Sequence, residues 1–186
     1  MNRFLFGLAI AGITALVAHA ADAPAPSMGK VFDGQIKTAE SEVVSLAEAM
    51  PADKYDFAPT GGELKGVRTF GQQMMHIAAV TYSVSAFALG EKNPSDLGAD
   101  ENGPSTIKGK DAIVQYLKDA FAYAHKAASN LTSGNAMDML PSPFGSGKTT
   151  RISMVSLITW HTFDHYGQSV IYARMCGIIP PASRPR

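Results

Sequence analysis

A single cysteine, Cys176, serves the whole 186-residue chain. No intramolecular disulfide can form, so the fold must be held by packing. The thiol falls at the end of the last predicted helix, just before Gly177, and reads as a small packing residue. Neither sign of charge is in excess, with 16 Lys and Arg against 16 Asp and Glu. No Lys/Arg cluster or basic stripe occurs, which argues against nucleic acid and anionic membrane surfaces as partners. There is no internal repeat, and no segment alternates apolar and polar residues as a half-buried strand would. After the first twenty residues no further apolar run is long enough to span a bilayer.

What is present begins with a secretory signal. Arg3 supplies a positive start, Phe4 to Ala18 an apolar run, and Ala18-His19-Ala20 a small-x-small cleavage site. Cleavage after Ala20 predicts a secreted or periplasmic protein with a side-chain charge of about −1 once Arg3 is lost. Residues 21–27, rich in Ala and Pro, read as a flexible leader. Residues 28–183 are long enough for one domain with its own core.

Hydrophobic spacing divides that domain into four helices. The first runs from Met28 to Ala49, with Phe32, Ile36, Ala39, Val43, Leu46 and Met50 at helical intervals before Pro51. The second runs from Phe70 to Leu89, opened by a Thr69-Phe70-Gly71-Gln72 capping box and stopped at Gly90. The third spans Lys110 to Leu131, with Ile113, Leu117, Phe121, Ala124, Ala128 and Leu131 inward and His125 at the boundary. The fourth spans Thr150 to Met175. Long Gly/Pro-rich connections join them, one of them Glu91 to Lys108, a candidate lid or wall. Gly145-Ser146-Gly147-Lys148-Thr149-Thr150 imitates a phosphate loop. The motif needs a glycine where Ser142 stands, so a turn and helix cap is the better reading. Asn130-Leu131-Thr132 has the form of a glycosylation sequon and carries little weight. The predicted fold class is all-α, a four-helix bundle with long crossover loops.

The chemistry lies in the histidines. His161 and His165, four apart, share one face of the fourth helix with Met154, Leu157, Gln168 and Tyr172. His76 lies on the apolar side of the second helix, in a line with Gln72 or Gln73, Ala79 or Val80, Ser83 and Phe87. Burying three imidazoles is costly unless each finds a partner. His76, His161 and His165 therefore form a candidate metal site that suits zinc, nickel or another divalent first-row ion such as manganese or iron, and the ligand types alone do not choose among them. Three protein ligands leave coordination positions open, as catalytic sites do.

Rival motifs fit poorly. A helical zinc protease would carry Glu directly after the first histidine, where Thr162 stands, and a di-iron bundle would need Glu-x-x-His pairs. Histidines at i and i+4 on one helix cannot bind opposite faces of one haem. The methionines, Met74-Met75 included, read as core fillers rather than copper ligands.

The order Thr69 to Ala78 around His76, then His161-x-x-x-His165-Tyr166-Gly167-Gln168, then Tyr172 to Pro181, resembles the DinB/YfiT-like family over about Met28 to Ser183. The resemblance implies a four-helix bundle whose three histidines bind a divalent metal, commonly nickel or zinc, often in a homodimer. It also implies an activity among metal-dependent hydrolases or thiol-dependent transferases and isomerases. The secretory signal departs from the family pattern and counts against a cytoplasmic thiol cofactor. Candidates for proton work are Gln168, Asp164 and Gln72; Tyr82 and Tyr166 read as packing residues. The expected partner is a small molecule of unknown identity. A non-catalytic metal-binding module and a metal-free structural bundle remain as alternatives.

Overall fold

The computed structural model describes residues 25–185. The predicted signal peptide, and the leader as far as residue 24, lie outside them. Four helices make up most of the described chain: α1 Met28–Ala49, α2 Phe70–Leu89, α3 Lys110–Ser129 and α4 Arg151–Met175. Each of the three capped starts follows from a side chain that accepts an otherwise unpaired amide. Ser27 accepts from Lys30, and Thr150 from Ser153. At Thr69 the box is reciprocal, with Gln72 Oε1 accepting from the Thr69 amide at 2.8 Å.

The helices form a square in the spatial order α1, α3, α2, α4, with α2 packed on both α3 and α4. Ile36, Ala39, Val43, Leu46 and Ala47 of α1 are fully buried, as the helical spacing requires. Leu117, Phe121 and Ala124 of α3 are buried likewise. Truncating one of the larger aliphatic side chains to Ala would cost about 2–5 kcal/mol. Gly29 marks a close approach: a Cβ there would meet the Ala128 carbonyl oxygen at 2.8 Å. The third helix ends two residues before its predicted limit, and Leu131 packs into the core from beyond it. Among the described residues no helix is long and apolar enough to cross a membrane.

The sequence shows no strand signal, yet Met139–Pro141 (β1) and Lys148–Thr150 (β2) pair antiparallel just before α4. Three residues per strand are too few to show alternation, and no residue of either strand is fully buried. The phosphate-loop imitation is the turn and second strand of this hairpin, with Gly145 at φ 85° and Gly147 at φ 151°. The long connection after α2 is irregular apart from one 3-10 turn, Ala99–Glu101, and lies against the middle of α2.

Candidate metal centre

His76 sits at mid-length on α2, the most enclosed helix, and His161 and His165 lie one turn apart on the facing side of α4. Their ring centroids are 4.4–5.0 Å apart. One donor atom from each falls within 4.8 Å of the others, and the group could hold a metal ion. His76 Nε2 and His161 Nε2 are 3.2 Å apart. Two ligands about 2.0–2.1 Å from one zinc would be separated by a similar distance.

On two of the rings the far side fixes where the proton resides. His76 Nδ1–H donates to the Glu101 carbonyl oxygen at 2.9 Å. His165 Nδ1–H donates to Gln73 Oε1 at 2.7 Å. Both rings therefore turn an Nε2 lone pair toward the cluster, the arrangement that ligating histidines need. Gln73 is itself oriented, its amide nitrogen donating to Gln168 Oε1 at 3.0 Å. His161 Nδ1 is buried without a partner.

Electrostatics agree. Burial, with the neighbouring imidazoles adding to it, pushes His161 down to about 3. Burial and then His76 push His165 down to about 4, and burial lowers His76 as well. All three rings are neutral at pH 7, so a cation meets lone pairs without displacing ring charge. The residues present fit a divalent ion.

The connection between α2 and α3 supplies the wall. Asp100 and Glu101 adopt φ 53° and 58°, left-handed conformations that cost non-glycine residues about 1–2 kcal/mol each. Arg68 holds that bend, its Nε donating to Asn102 Oδ1 at 2.8 Å and Nη2 to the Asp100 carbonyl at 2.7 Å. The bend brings the Glu101 carbonyl to His76 and leaves the Glu101 carboxylate 3.9 Å from the same Nδ1.

The proton-work candidates are placed unequally. Gln72 is exposed and committed to the α2 cap, while its neighbour Gln73 turns inward to His165. Gln168 touches Gln73 rather than a histidine. Asp164 has a side chain 66% exposed, 3.9 Å from His165 Nε2, so it sits at the rim and does not orient the ring through Nδ1. Cys176 is half-buried against the core, and desolvation pushes its thiol up. Glu101 and Arg68 are additions of the structure; of the pair the sequence stripe offered, Gln72 or Gln73, it is Gln73 that turns inward.

The profile of the DinB superfamily matches residues 35–169, which contain all three histidines. The chain belongs to the DinB superfamily. Solved structures agree on the DinB-like fold. A DinB-like protein from Bacillus cereus is 15% identical, with a TM-score of 0.65 over 82% of this chain and 95% of that one. A conserved protein from Enterococcus faecalis is 12% identical, with a TM-score of 0.65 over 81% and 98%. A DinB-like protein from Bacillus subtilis is 16% identical, with a TM-score of 0.59 over 84% and 99%. No curated protein matches the chain in sequence.

Proposed function

We propose that this DinB-superfamily bundle holds one divalent metal ion on His76, His161 and His165. It would act outside the cytoplasm as a metal-dependent hydrolase, or less favourably a transferase, on a small molecule. The observation that carries this reading is the convergence of three neutral imidazoles, two with their protons held on the outward nitrogen. Zinc and nickel lead among the ions, with manganese and iron behind them. A divalent ion held there supplies Lewis acidity to a substrate oxygen.

The chain's own residues account for the rest. Gln73 and the Glu101 carbonyl keep His165 and His76 in the tautomer that presents Nε2. Glu101 lines the cavity shared with His161, so its carboxylate is the best-placed group to take a proton from a nucleophile entering there. Asp164 at the rim is the second candidate, and Gln168 supports Gln73. A cavity open beside the cluster favours catalysis over a closed structural metal.

Metal content by mass spectrometry tests the reading, after loading with zinc, nickel, manganese or iron. About one ion per chain is expected, lost in both His76→Ala and His161→Ala. Failure to take up any of the four ions would sink it.

A further inference from the structure

Beside His161 lies a cavity of about 530 Å³, bounded by α4 and the β1–β2 hairpin. Its deep wall is apolar. Val80 of α2 and Met154 and Leu157 of α4 are all at least nine-tenths buried. Phe144, from the hairpin turn, and Trp160, from α4, also line it, yet they are 53% and 59% exposed. Single exposed aromatics are ordinary. Two that share one cavity with an apolar wall are the mark of a small-molecule site.

The turn bearing Phe144 is tied down. The Ser142 amide donates to the Gly147 carbonyl at 2.9 Å, and the Phe144 amide to Ser142 Oγ at 3.2 Å. Ser142, Thr149 and Ser153 add neutral hydroxyl-bearing side chains to the lining. Glu101 is the one charged side chain there, and it is acidic. A carboxylate or phosphate entering the metal-free cavity would meet a like charge and no Lys or Arg among the lining residues.

We propose that this cavity receives the uncharged, apolar end of the substrate, an aromatic ring or a branched alkyl group, with the polar end toward the three imidazoles. The assignment of the polar end rests on the metal-centre reading; the apolar subsite stands on its own walls.

Trp160 is the only tryptophan in the chain. Its emission reports this cavity and a neighbouring pocket beside Phe32 and Ile152, and Phe144, which lines only the first, tells the two apart. The test is a fluorescence titration with N-phenyl-1-naphthylamine, an uncharged aromatic probe that accepts energy from an excited indole. Metal-stripped and zinc-loaded protein are titrated in parallel. Saturable quenching of Trp160 with sensitised probe emission is expected in both forms. Phe144→Asp and Ser153→Glu, both at exposed positions, should each weaken the probe roughly tenfold, with circular dichroism unchanged. In the metal-stripped form, benzyl alcohol should displace the probe and benzoate should not. Absence of quenching, undiminished binding by both variants, or, in the metal-stripped form, displacement by benzoate equal to that by benzyl alcohol would each overturn the subsite. The metal reading fails separately. Protein that binds the probe but takes up none of the four ions overturns the metal centre and leaves the subsite standing, and metal uptake without probe binding does the reverse.

Discussion

Two histidine sites lie on different seams of the same bundle, and their neighbours give them opposite electrical characters. Between α2 and α4, His76, His161 and His165 face one another, and burial holds all three neutral. Between α1 and α3, His125 stands alone between two carboxylates, with Nδ1 2.6 Å from Asp33 and Nε2 3.0 Å from Glu40. Burial alone would lower His125, but the hydrogen bonds to Glu40 and Asp33 outweigh it and raise the pKa. One seam presents lone pairs without protons, the state a metal requires. The other, when protonated, uses both ring nitrogens as donors and has no lone pair to offer, and in that state it ties two helices together by charge. The residue type is shared, and the acceptors around it decide the role.

The largest expected effect breaks one seam only. His76→Ala or His161→Ala should abolish metal uptake, whereas His125→Ala should leave it within error of the wild type, measured by mass spectrometry on the same loaded preparations. Loss of metal in His125→Ala with an intact fold would mean that the two seams are not independent. Next comes Gln73→Leu, which removes the acceptor of His165 Nδ1–H while keeping the volume similar. Metal affinity should fall about 10–100-fold, the usual cost of losing a group that orients a ligand. Competition titration against a chromophoric chelator measures it. An unchanged affinity would show that packing alone orients His165.

The four helices were legible because their ends carry local chemistry. The Thr69–Gln72 box, the Thr150 cap and Pro51 act within a few residues of themselves, and the apolar stripes between them repeat at 3.6. The hairpin was not legible: strands of three residues, part exposed and part half-buried, leave no periodic trace. The three histidines were visible as polar exceptions on apolar stripes. Gln73 was only half visible, since one helical position is about 100° of rotation and the stripe admitted either glutamine. Arg68 and Glu101 could not be read at all. Their part depends on the path of an irregular connection that returns to α2, and the hint available was Gly98 and Gly103 bracketing an acidic pair. Even that hint names a bend, not what the bend touches.

A smaller effect sharpens the contrast through pH. The raised pKa of His125 means that its ion pairs contribute fully below the unfolded value of about 6.5 and are lost as pH rises through the folded value. The lowered pKa values of the cluster work the other way in metal-free protein. Between about 6.5 and 4 the unfolded chain takes up protons that the folded imidazoles refuse, so stability drops as pH falls. Urea midpoints of metal-free wild type and His125→Gln should differ most at about pH 6 and below, and converge as pH rises. A difference that is flat with pH would remove the charge from the α1–α3 tie.

The smallest effect separates two adjacent glutamines. Gln72 caps α2 from an exposed position, its Oε1 accepting the Thr69 amide. Gln72→Ala removes half of a capping box whose other half, Thr69 Oγ1 accepting the Gln72 amide at 3.2 Å, survives because that amide belongs to the backbone. The expected cost is about 0.5–1 kcal/mol of stability, the lower part of the range for a lost cap, read as a small shift in urea midpoint, with metal affinity unchanged. Gln73→Leu should do the converse, weakening the metal more than the fold. Both changes fall in the first turn of the same helix, so helix propensity alone cannot separate their effects. If Gln72→Ala also weakens metal binding, the start of α2 transmits its position to His76 one turn on, and the cap becomes part of the site's architecture.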